Sequence, residues 1–403
     1  MLLQEQIALV VDKQRETFLT KDVGIQRDIL PQVPIIENYA TIITGIRRCG
    51  KSTLLLQIAG ENYAQTLFLN FEDIRLATFE TGDFVRLLNE IKQRKSTMLF
   101  FDEIQLVDGW EIFVHQLLND GYKVFVTGSN ATLLSTEMAT HLTGRQISVE
   151  LFPFSFSEFL KIRHQEANEA SLKQYLQDGG MPEYLKSGQS VILTSLVDDI
   201  IIKDISVRHS LKDVESLRQL TLFLCANIAN QLSANKLINL FGIKSASTIL
   251  EYFSYLTDAY LFDFVPQFNY SLKTQARNPK KLYSIDTGIC NSLAFKFSEN
   301  IGHSLENAVY LHLRRHNKSI FYFNESGECD FVVMKNTEIK YLIQVCWHLD
   351  DMNLAREKNG LQQAMKFFKH ASGTIVTFNQ KDCISTEDGV IEIIPAYEFF
   401  ISL

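Results

Sequence analysis

The fold of this chain is decided by residues 45–52, which read Gly45-Ile46-Arg47-Arg48-Cys49-Gly50-Lys51-Ser52. This is the pattern G-x-x-x-x-G-K-[ST], in which glycines allow the backbone to curl so that successive N–H groups face phosphate oxygens. Lys51 supplies a positive charge to the β- and γ-phosphates, and the Ser52 hydroxyl completes the shell of a Mg²⁺ ion. We therefore predict that this loop and the following Thr53 bind a nucleotide.

The sequence on either side of the loop meets the structural condition for this motif, which is a strand before it and a helix after it. Residues 40–44 are the β-branched, apolar run ATIIT, and residues 52–59 (STLLLQIA) are suited to the start of a helix. A strand, a phosphate loop and a helix in this order predict the α/β fold class, with a P-loop core built on a parallel sheet.

Length and composition indicate an ordinary globular protein of several domains. The chain has 403 residues, of which 46% are apolar and 21% charged, and two to four domains are expected at this length. No apolar run is long enough to span a bilayer, and the N-terminus has no secretory signal. The six cysteines form no C-x-x-C pair, which argues against a zinc ribbon or a disulfide framework. We expect a cytoplasmic protein without membrane contact.

An acidic motif follows 51 positions after Lys51, where the apolar run Met98–Phe101 ends in Asp102 and Glu103. At this position Asp102 is expected to hold Mg²⁺ through water, and Glu103 to orient or deprotonate the attacking water. The pair disfavours a small-molecule kinase, which activates a substrate hydroxyl and needs no water-activating Glu. The guanine-reading pattern N-K-x-D does not occur, which favours adenine, and hence ATP, as the nucleotide.

Three further residues are candidates for the catalytic site. The run Lys123–Thr127 leads through Gly128 into Ser129 and Asn130, and a polar residue at this strand end could sense the γ-phosphate. An ordinary Gly-Ser-Asn turn explains the same residues equally well. Arg145 could stabilise transition-state charge, either in its own subunit or across a subunit boundary. A solvated surface arginine is the alternative for Arg145.

Further motifs extend over most of the chain in a fixed order. They are FLNFED (68–73), FFDEIQ (100–105), TGSN (127–130), LTGR (142–145), LFPFSFSEF (151–159), DGGMPEYL (178–185) and LEN (305–307). Together with the phosphate loop, this order resembles the AAA-type ATPases of the archaeal and bacterial "ATP-binding protein" superfamily, which is related to the STAND and AAA+ groups. The resemblance implies ATP as ligand, an ASCE-type core, a helical lid, and a C-terminal half of winged-helix and nuclease-like type.

Turn signals and changes of pattern predict four domains. A helical pattern over Ser155–Leu176 follows the core and is interrupted by residues 179–182 (GGMP). Compact helices come next, one of them expected over Ala234–Leu240 with Ser233 as its N-cap, and with two extended runs they suggest a winged helix-turn-helix. A helix and three strands come next. The predicted domains are the P-loop ATPase core (1–150), the helical lid or connector (151–215), the winged helix (216–290) and the nuclease-like domain (291–403).

The predicted winged helix is basic within an acidic protein. The formal net charge of the chain is −8, whereas residues 217–281 contain seven Lys and Arg against three Asp and Glu. Lys273, Arg277, Lys280 and Lys281 are candidates for contacts with the phosphates of double-stranded DNA. The alternative is a winged helix that binds a protein partner and carries a solvated loop.

The predicted C-terminal domain resembles the PD-(D/E)xK nucleases but lacks part of their site. Glu306 lies on a predicted helix, and Asp330 opens a predicted strand. The next strand should carry a (D/E)-x-K triplet for the metal and the water, but it reads Gln344-Val345-Cys346. Gln coordinates a hard cation poorly, and Cys provides no ammonium group. We expect a nuclease-like fold without nuclease activity.

The sequence as a whole favours an ATP-hydrolysing molecular switch that uses Mg²⁺ and recognises DNA or a protein partner through its C-terminal half. The alternatives are an ATP-dependent nuclease and an interaction scaffold that binds ATP without hydrolysing it. A trans-acting Arg145 would in addition imply a homo-oligomer.

Overall fold

A computed structural model describes residues 1–60, 65–131, 144–293, 301–325 and 327–402 of the chain. Residues 142 and 143 of the LTGR motif lie outside these stretches. The chain divides into a first unit, Met1–Phe152 with Asp258–Tyr260, and a second unit, Pro153–Thr257 with Leu261–Leu403. Among the helices of the described stretches, none combines the length and the apolar character that crossing a bilayer demands.

The first unit is built on a parallel sheet. Its strands are β1 (Ala40–Thr44), β2 (Thr66–Asn70), β3 (Met98–Asp102), β4 (Lys123–Gly128) and β5 (Gln146–Glu150). They lie in the order β2-β3-β4-β1-β5, and every neighbouring pair is parallel. The inner strands are continuous apolar runs, as expected for a parallel sheet covered on both faces. Because the strands are parallel, the residues that follow β1, β3 and β4 lie at one edge of the sheet.

Helices of the first unit pack on this sheet and close its core. They are α1 (Gln4–Thr20), α2 (Lys51–Ala59), α3 (Asp83–Gln93) and α4 (Trp110–Asn119). Ile7 of α1, Leu87 of α3 and Leu117 of α4 are fully buried in one apolar cluster with residues of the strands. The predicted strand over residues 40–44, the helix after the phosphate loop and the α/β fold class are therefore confirmed.

The second unit begins with a series of helices. They are α5 (Phe156–Arg163), α6 (Glu169–Asp178), α7 (Pro182–Ser187) and α8 (Val191–Asp199), which continues as a π-helix over Ile200–Val207. The helical pattern predicted over Ser155–Leu176 forms two helices, α5 and α6, rather than a continuous one. His164 adopts a φ of 52°, a left-handed conformation that ends α5, and Asn168 caps α6 by accepting a hydrogen bond from the Ser171 N–H.

The turn at Gly179-Gly180 is fixed by a buried carboxylate. Asp286 accepts hydrogen bonds from the backbone N–H groups of Gly180 (2.6 Å) and Ile289 (3.0 Å), and burial raises its pKa to about 6. A Cβ atom on Gly180 would lie 2.2 Å from the carbonyl oxygen of Phe154. The glycines of the DGGMPEYL motif are therefore explained by close backbone packing.

A small antiparallel sheet and its helices follow. These elements are α9 (Val214–Ala226), β6 (Gln231–Leu232), α10 (Ala246–Asp258), β7 (Phe262–Pro266), α11 (Leu272–Arg277), β8 (Lys280–Ser284) and α12 (Thr287–Leu293). The strands lie in the order β6-β8-β7. The helix expected over Ala234–Leu240 is wrong, because only one 3₁₀ turn (Ala234–Leu237) forms there, and Ser233 makes no capping hydrogen bond.

The rest of the second unit is a mixed sheet with helices. The strands are β9 (Ser319–Asn324), β10 (Glu328–Lys335), β11 (Glu338–Cys346), β12 (Ser372–Thr377), β13 (Asp382–Thr386) and β14 (Gly389–Pro395). The helices are α13 (Ile301–His316), α14 (Leu354–Phe368) and α15 (Ala396–Phe399). The strand order is β13-β14-β12-β11-β10-β9, so this sheet is separate from that of the first unit. The predicted helix around Glu306 and the three strands after it are confirmed.

Gly180→Ala is expected to lower the free energy of unfolding of the second unit by about 1–3 kcal/mol, because the backbone near Phe154 must move to admit the new Cβ atom. Gly302→Ala is the matched control, since no described atom lies within 4 Å of its Cβ position and Ala is the better helix former. Urea unfolding followed by circular dichroism measures both. Equal midpoints for Gly180→Ala and wild type would contradict the packing argument.

Candidate nucleotide site

The backbone of the phosphate loop takes conformations that favour glycine at both ends. Gly45 has a φ of 149° and Gly50 a φ of 100°. A Cβ atom on Gly45 would lie 2.1 Å from the carbonyl oxygen of Leu151, so the loop packs directly against the residue after β5. Gly50 precedes the first turn of α2, where backbone N–H groups have no intrahelical partner and can bind an anion.

The ammonium group of Lys51 is buried within this loop. Its Nζ atom donates hydrogen bonds to the carbonyl oxygens of Gly45 (2.9 Å) and Ile46 (3.1 Å), and the residue is 7% exposed. These bonds use two of the three N–H donors of an ammonium group, so a phosphate oxygen can accept the third. Lys51 is thus held where the motif requires a charge for the phosphates.

The hydroxyl of Ser52 and the carboxylate of Asp102 meet at the carboxyl edge of the sheet. Ser52 Oγ donates a hydrogen bond to Asp102 Oδ2 over 2.8 Å, and Thr127 Oγ1 donates to the other carboxylate oxygen, Oδ1. A cavity of 580 Å³ is lined by Ser52, by Asp102, by residues of α1 and by the loop after β2. Mg²⁺ prefers oxygen ligands and retains several waters. The hydroxyl and carboxylate fit that ion, and they are the residues that would hold it.

Glu103 follows Asp102 in a constrained, buried position. It has a φ of 55°, a left-handed conformation that is unusual outside glycine, and its backbone N–H donates to the carbonyl oxygen of Thr127 over 3.0 Å. Burial raises the pKa of its carboxyl group to about 7, against the lowering effect of Lys51, while Asp102 adds to the rise. A carboxyl group with a pKa near 7 is suited to proton transfer at neutral pH.

Ser129 and Asn130 follow β4 directly and are buried, with exposed fractions of 5% and 1%. Because β4 lies between β3 and β1, these residues share the edge that carries the phosphate loop and the end of β3. The structure therefore brings both predicted sensor residues to the site. Their roles in catalysis stay predictions.

Arg145 lies at the opposite edge of the sheet, so its predicted role within its own subunit is wrong. Its carbonyl oxygen accepts a hydrogen bond from the Ala40 N–H at the start of β1, and its guanidinium donates to Asn119 Oδ1 at the end of α4. The phosphate loop follows the other end of β1, about 13 Å away at 3.3 Å per residue. Arg145 was misassigned because it precedes a strand rather than following one. Its role across a subunit boundary stays a prediction.

The remaining loop residues differ in exposure and partners. Arg47 forms an ion pair with Glu72 over 3.2 Å, and Arg48 is exposed with a φ of 65°. Cys49 is fully buried, its thiol donates to the Leu151 carbonyl oxygen, and burial raises the pKa of the thiol. Thr53 is half-buried on α2.

Sequence reasoning missed three side chains that organise the site. Arg27 is 4% exposed and donates to the carbonyl oxygens of Cys49 (2.9 Å) and Phe152 (2.7 Å). It therefore stabilises the backbone conformation of the phosphate loop. Thr127 orients Asp102, and Gln105 donates a hydrogen bond to Glu103 Oε2. The sequence did contain a signal for Thr127, because this residue is polar and lies within an apolar strand. Arg27 gave none, because its partners are backbone atoms distant in sequence.

A second polar cluster lies in the second unit, around Lys281 on β8. Lys281 Nζ lies 2.6 Å from Asp330 Oδ1 and 3.2 Å from carboxylate oxygens of both Glu306 and Glu328. Its side chain is only 4% exposed. The predicted contact of Lys281 with DNA phosphates is therefore wrong, because its ammonium is enclosed by carboxylates.

The other predicted basic residues are more accessible. Lys273 and Arg277 are exposed on α11, and Lys280 is half-buried at the start of β8. The run of basic residues in the sequence did not show that Lys281 differs from the other three. Alternate residues of a strand point to opposite faces, and Lys281 falls on the inner one.

The cluster connects Glu306 and Asp330, the two carboxylates that the sequence singled out. Burial and the nearby Asp330 raise the pKa of Glu306 to about 7, and Asp330 also accepts a hydrogen bond from the backbone N–H of Val345 over 2.8 Å. Gln344 donates to Glu357 Oε2 over 2.7 Å. A cavity of 790 Å³ adjoins these groups. Within the described residues, no set of three or more His, Cys, Asp or Glu side chains is arranged to hold a metal ion.

Lys281→Met is expected to lower the free energy of unfolding by about 3–5 kcal/mol at pH 8, because it leaves buried carboxylates without their cation. The loss should shrink towards pH 5, where Glu306 can take up a proton. Lys273→Met, at an exposed position, is the control and should change stability by less than about 0.5 kcal/mol. Urea unfolding at both pH values measures this, and equal stability of the two variants would contradict the cluster's role.

The loop, Asp102 and Glu103 on one edge of a parallel sheet define an AAA-type P-loop ATPase domain. Residues 37–160 match the family model described as "AAA domain", and residues 169–300 match "Domain of unknown function (DUF8612)". The chain is 35% identical over 412 residues to "Uncharacterized protein MJ1544" of Methanocaldococcus jannaschii, covering 94% of this chain and 91% of that protein. An "Uncharacterized protein" of Haemophilus influenzae is 31% identical over 339 residues, covering 78% and 84%. The chain belongs to the family of these proteins.

Two solved structures have a low similarity to this chain. The Thermotoga maritima RuvB Holliday junction branch migration motor has a TM-score of 0.31 and 17% identity, over 63% of this chain and 88% of that one. The STAND protein PH0952 of Pyrococcus horikoshii, with a tetratricopeptide repeat sensor, has a TM-score of 0.30 and 15% identity, over 74% and 46%. Similarities at this level support no inference about the present chain.

Proposed function

We propose that this protein is a Mg²⁺-dependent ATPase that acts as a molecular switch, in which the nucleotide state controls how the second unit recognises a partner. The main support for this proposal is the hydrogen bond of 2.8 Å between Ser52 and Asp102, which joins the phosphate loop to the acidic end of β3. Two oxygen groups at this separation can serve one metal ion bound to ATP phosphates. The next residue, Glu103, is a buried carboxyl group with a raised pKa.

The proposed reaction is attack of a water oxygen on the γ-phosphorus of ATP. The bond between the γ-phosphorus and the bridging oxygen breaks, and that oxygen leaves on ADP with the electron pair. Glu103 accepts a proton from the attacking water, and Lys51 neutralises charge that develops on the phosphate oxygens. Mg²⁺, when bound, would neutralise charge on the β- and γ-phosphate oxygens.

Glu103→Gln is expected to reduce steady-state phosphate release at least about 100-fold, because the amide cannot accept the proton from water. Binding of ATP should persist, since the loop is unchanged, whereas Lys51→Ala should weaken binding. In wild type, kcat/KM should rise with pH and level off above an apparent pKa of about 7, because the base must be ionised. Phosphate release from pH 5.5 to 9 and equilibrium titration with a fluorescent ATP analogue measure these effects.

Two outcomes of these measurements would contradict the proposal. Wild type that binds ATP but releases no phosphate, with or without DNA, would favour an interaction scaffold. Equal release by wild type and Glu103→Gln would exclude Glu103 as the base.

We infer that partner recognition uses a winged helix made of α9, α10 and the β6-β8-β7 sheet. The order of helix, short strand, 3₁₀ turn, helix and hairpin supports this assignment. Exposed Lys273 and Arg277 on α11 favour double-stranded DNA as the partner, because cations on an exposed surface contact phosphates without desolvation of buried charge. A protein partner is the alternative.

We also propose that the sheet of β9 to β14 with α13 is a nuclease-like domain that does not cleave DNA. At the triplet position, Gln344 is engaged with Glu357, and burial raises the pKa of the Cys346 thiol to about 11. The lysine beside Asp330 comes from β8 instead and forms ion pairs with the carboxylates. An ATP-dependent nuclease is therefore the weaker alternative.

Replacing Lys273 and Arg277 together with Ala should weaken binding to a duplex and reduce the slope of log K against log salt by about 2, one for each lost phosphate contact. Lys335→Ala, an exposed lysine at the end of β10, is the control. Fluorescence anisotropy at several salt concentrations measures the slope, and gel analysis of the same samples with Mg²⁺ should find the DNA intact. An unchanged slope would exclude α11 as the DNA contact.

A further inference from the structure

We infer that Gln105 is a positioning residue that fixes the orientation of the Glu103 carboxylate for attack by water. The inference rests on the ATPase function proposed above and adds a residue to its machinery. Gln105 does not touch the phosphate loop in any contact that the described residues show, so it would act through Glu103.

The local backbone brings the two side chains together. Residues Ile104–Leu106 form a 3₁₀ turn that starts at Glu103, and the Leu106 N–H donates to the Glu103 carbonyl oxygen over 3.2 Å. This tight turn places Gln105 beside Glu103, whose Oε2 atom accepts a hydrogen bond from Gln105 Nε2. At the same time the Glu103 N–H is held by Thr127 at the end of β4. Backbone and side chain of Glu103 are therefore both fixed.

The hydrogen bond matters because the last torsion of a Glu side chain is soft. That sp³–sp² torsion has a broad, roughly two-fold profile, so an unrestrained carboxylate samples many orientations. With Oε2 held by Gln105, Oε1 is the oxygen left to accept a proton from water. A small displacement of a catalytic group from the orientation that the reaction needs lowers the rate of the reaction by a large factor.

The polarity of the Gln105 amide also matches an ionised Glu103. Gln105 Oε1 is buried and has no hydrogen-bond partner among the described residues. A rotated amide would set this oxygen against the carboxylate, which is repulsive unless Glu103 is protonated. The observed orientation, with Nε2 towards Glu103, stabilises the charged form that a general base requires.

Gln105→Met keeps the length of the side chain and removes its N–H donor. It should lower kcat by about 10- to 100-fold because the Glu103 carboxylate is no longer held, and leave KM for MgATP within about twofold. Gln105→Asn, one methylene shorter, should act in the same direction and serves if the Met variant folds poorly. Gln93→Met, at an exposed position of α3, is the control. In a Glu103→Gln background, Gln105→Met should have no further effect on rate.

A measurement that needs no turnover tests the inference separately from the proposed function. The side-chain carboxyl carbons of Glu are labelled with ¹³C, and the signal of Glu103 is assigned by its loss in Glu103→Gln. Relaxation of this signal at one fixed pH should report a more mobile carboxyl group in Gln105→Met than in wild type, because the last torsion of a Glu side chain is soft. Equal mobility of the Glu103 carboxyl group in both proteins, or an unchanged kcat in Gln105→Met, would overturn the role of Gln105. Wild type without ATPase activity would overturn the proposed function, while the relaxation measurement would still decide this inference.

Discussion

Strands β1, β3 and β4 run in the same direction, and the nucleotide site requires this arrangement. Because these neighbouring strands are parallel, the residues that follow them meet at one edge of the sheet. The hydrogen bonds from Ser52 to Asp102 and from the Glu103 N–H to Thr127 both connect groups from different strand ends. Reversal of a single strand would move its polar end by about 13 Å, the distance between the first and last residues of a five-residue strand.

The phosphate loop and the acidic end of β3 could be predicted from the sequence because their signals are local. Each consists of an apolar run followed directly by the residues that carry the chemistry, so strand direction and site are encoded together. Arg145 was misassigned because its strand follows it, which places it at the amino edge. Lys281 was misassigned because only the folded sheet shows that it faces Asp330. A residue that directly follows an apolar strand could therefore be placed from the sequence, whereas a residue that precedes a strand and a charge that becomes buried could not.

Three side chains whose roles were not predicted from the sequence stabilise the nucleotide site. Arg27 bonds to two carbonyl oxygens of the loop region, Thr127 bonds to Asp102, and Gln105 bonds to Glu103. A buried polar group costs free energy unless it is paired, so each of these contacts also stabilises the fold. The same principle applies in the second unit, where Lys281 neutralises buried carboxylates. The two buried lysines differ in their partners. Lys281 is paired with carboxylates of the protein, whereas Lys51 keeps one N–H donor for a ligand.

The proposed ATPase activity requires that water attack ATP at the edge formed by Lys51, Ser52, Asp102 and Glu103. Turnover of ATP in ¹⁸O-labelled water, followed by ³¹P nuclear magnetic resonance of the products, shows whether the solvent oxygen reaches the γ-phosphorus. Inorganic phosphate is expected to accumulate with one solvent oxygen atom, and Glu103→Gln should abolish this signal. Transfer of the γ-phosphate to an acceptor other than water, or the absence of labelled phosphate from wild type that binds MgATP, would contradict the proposed activity.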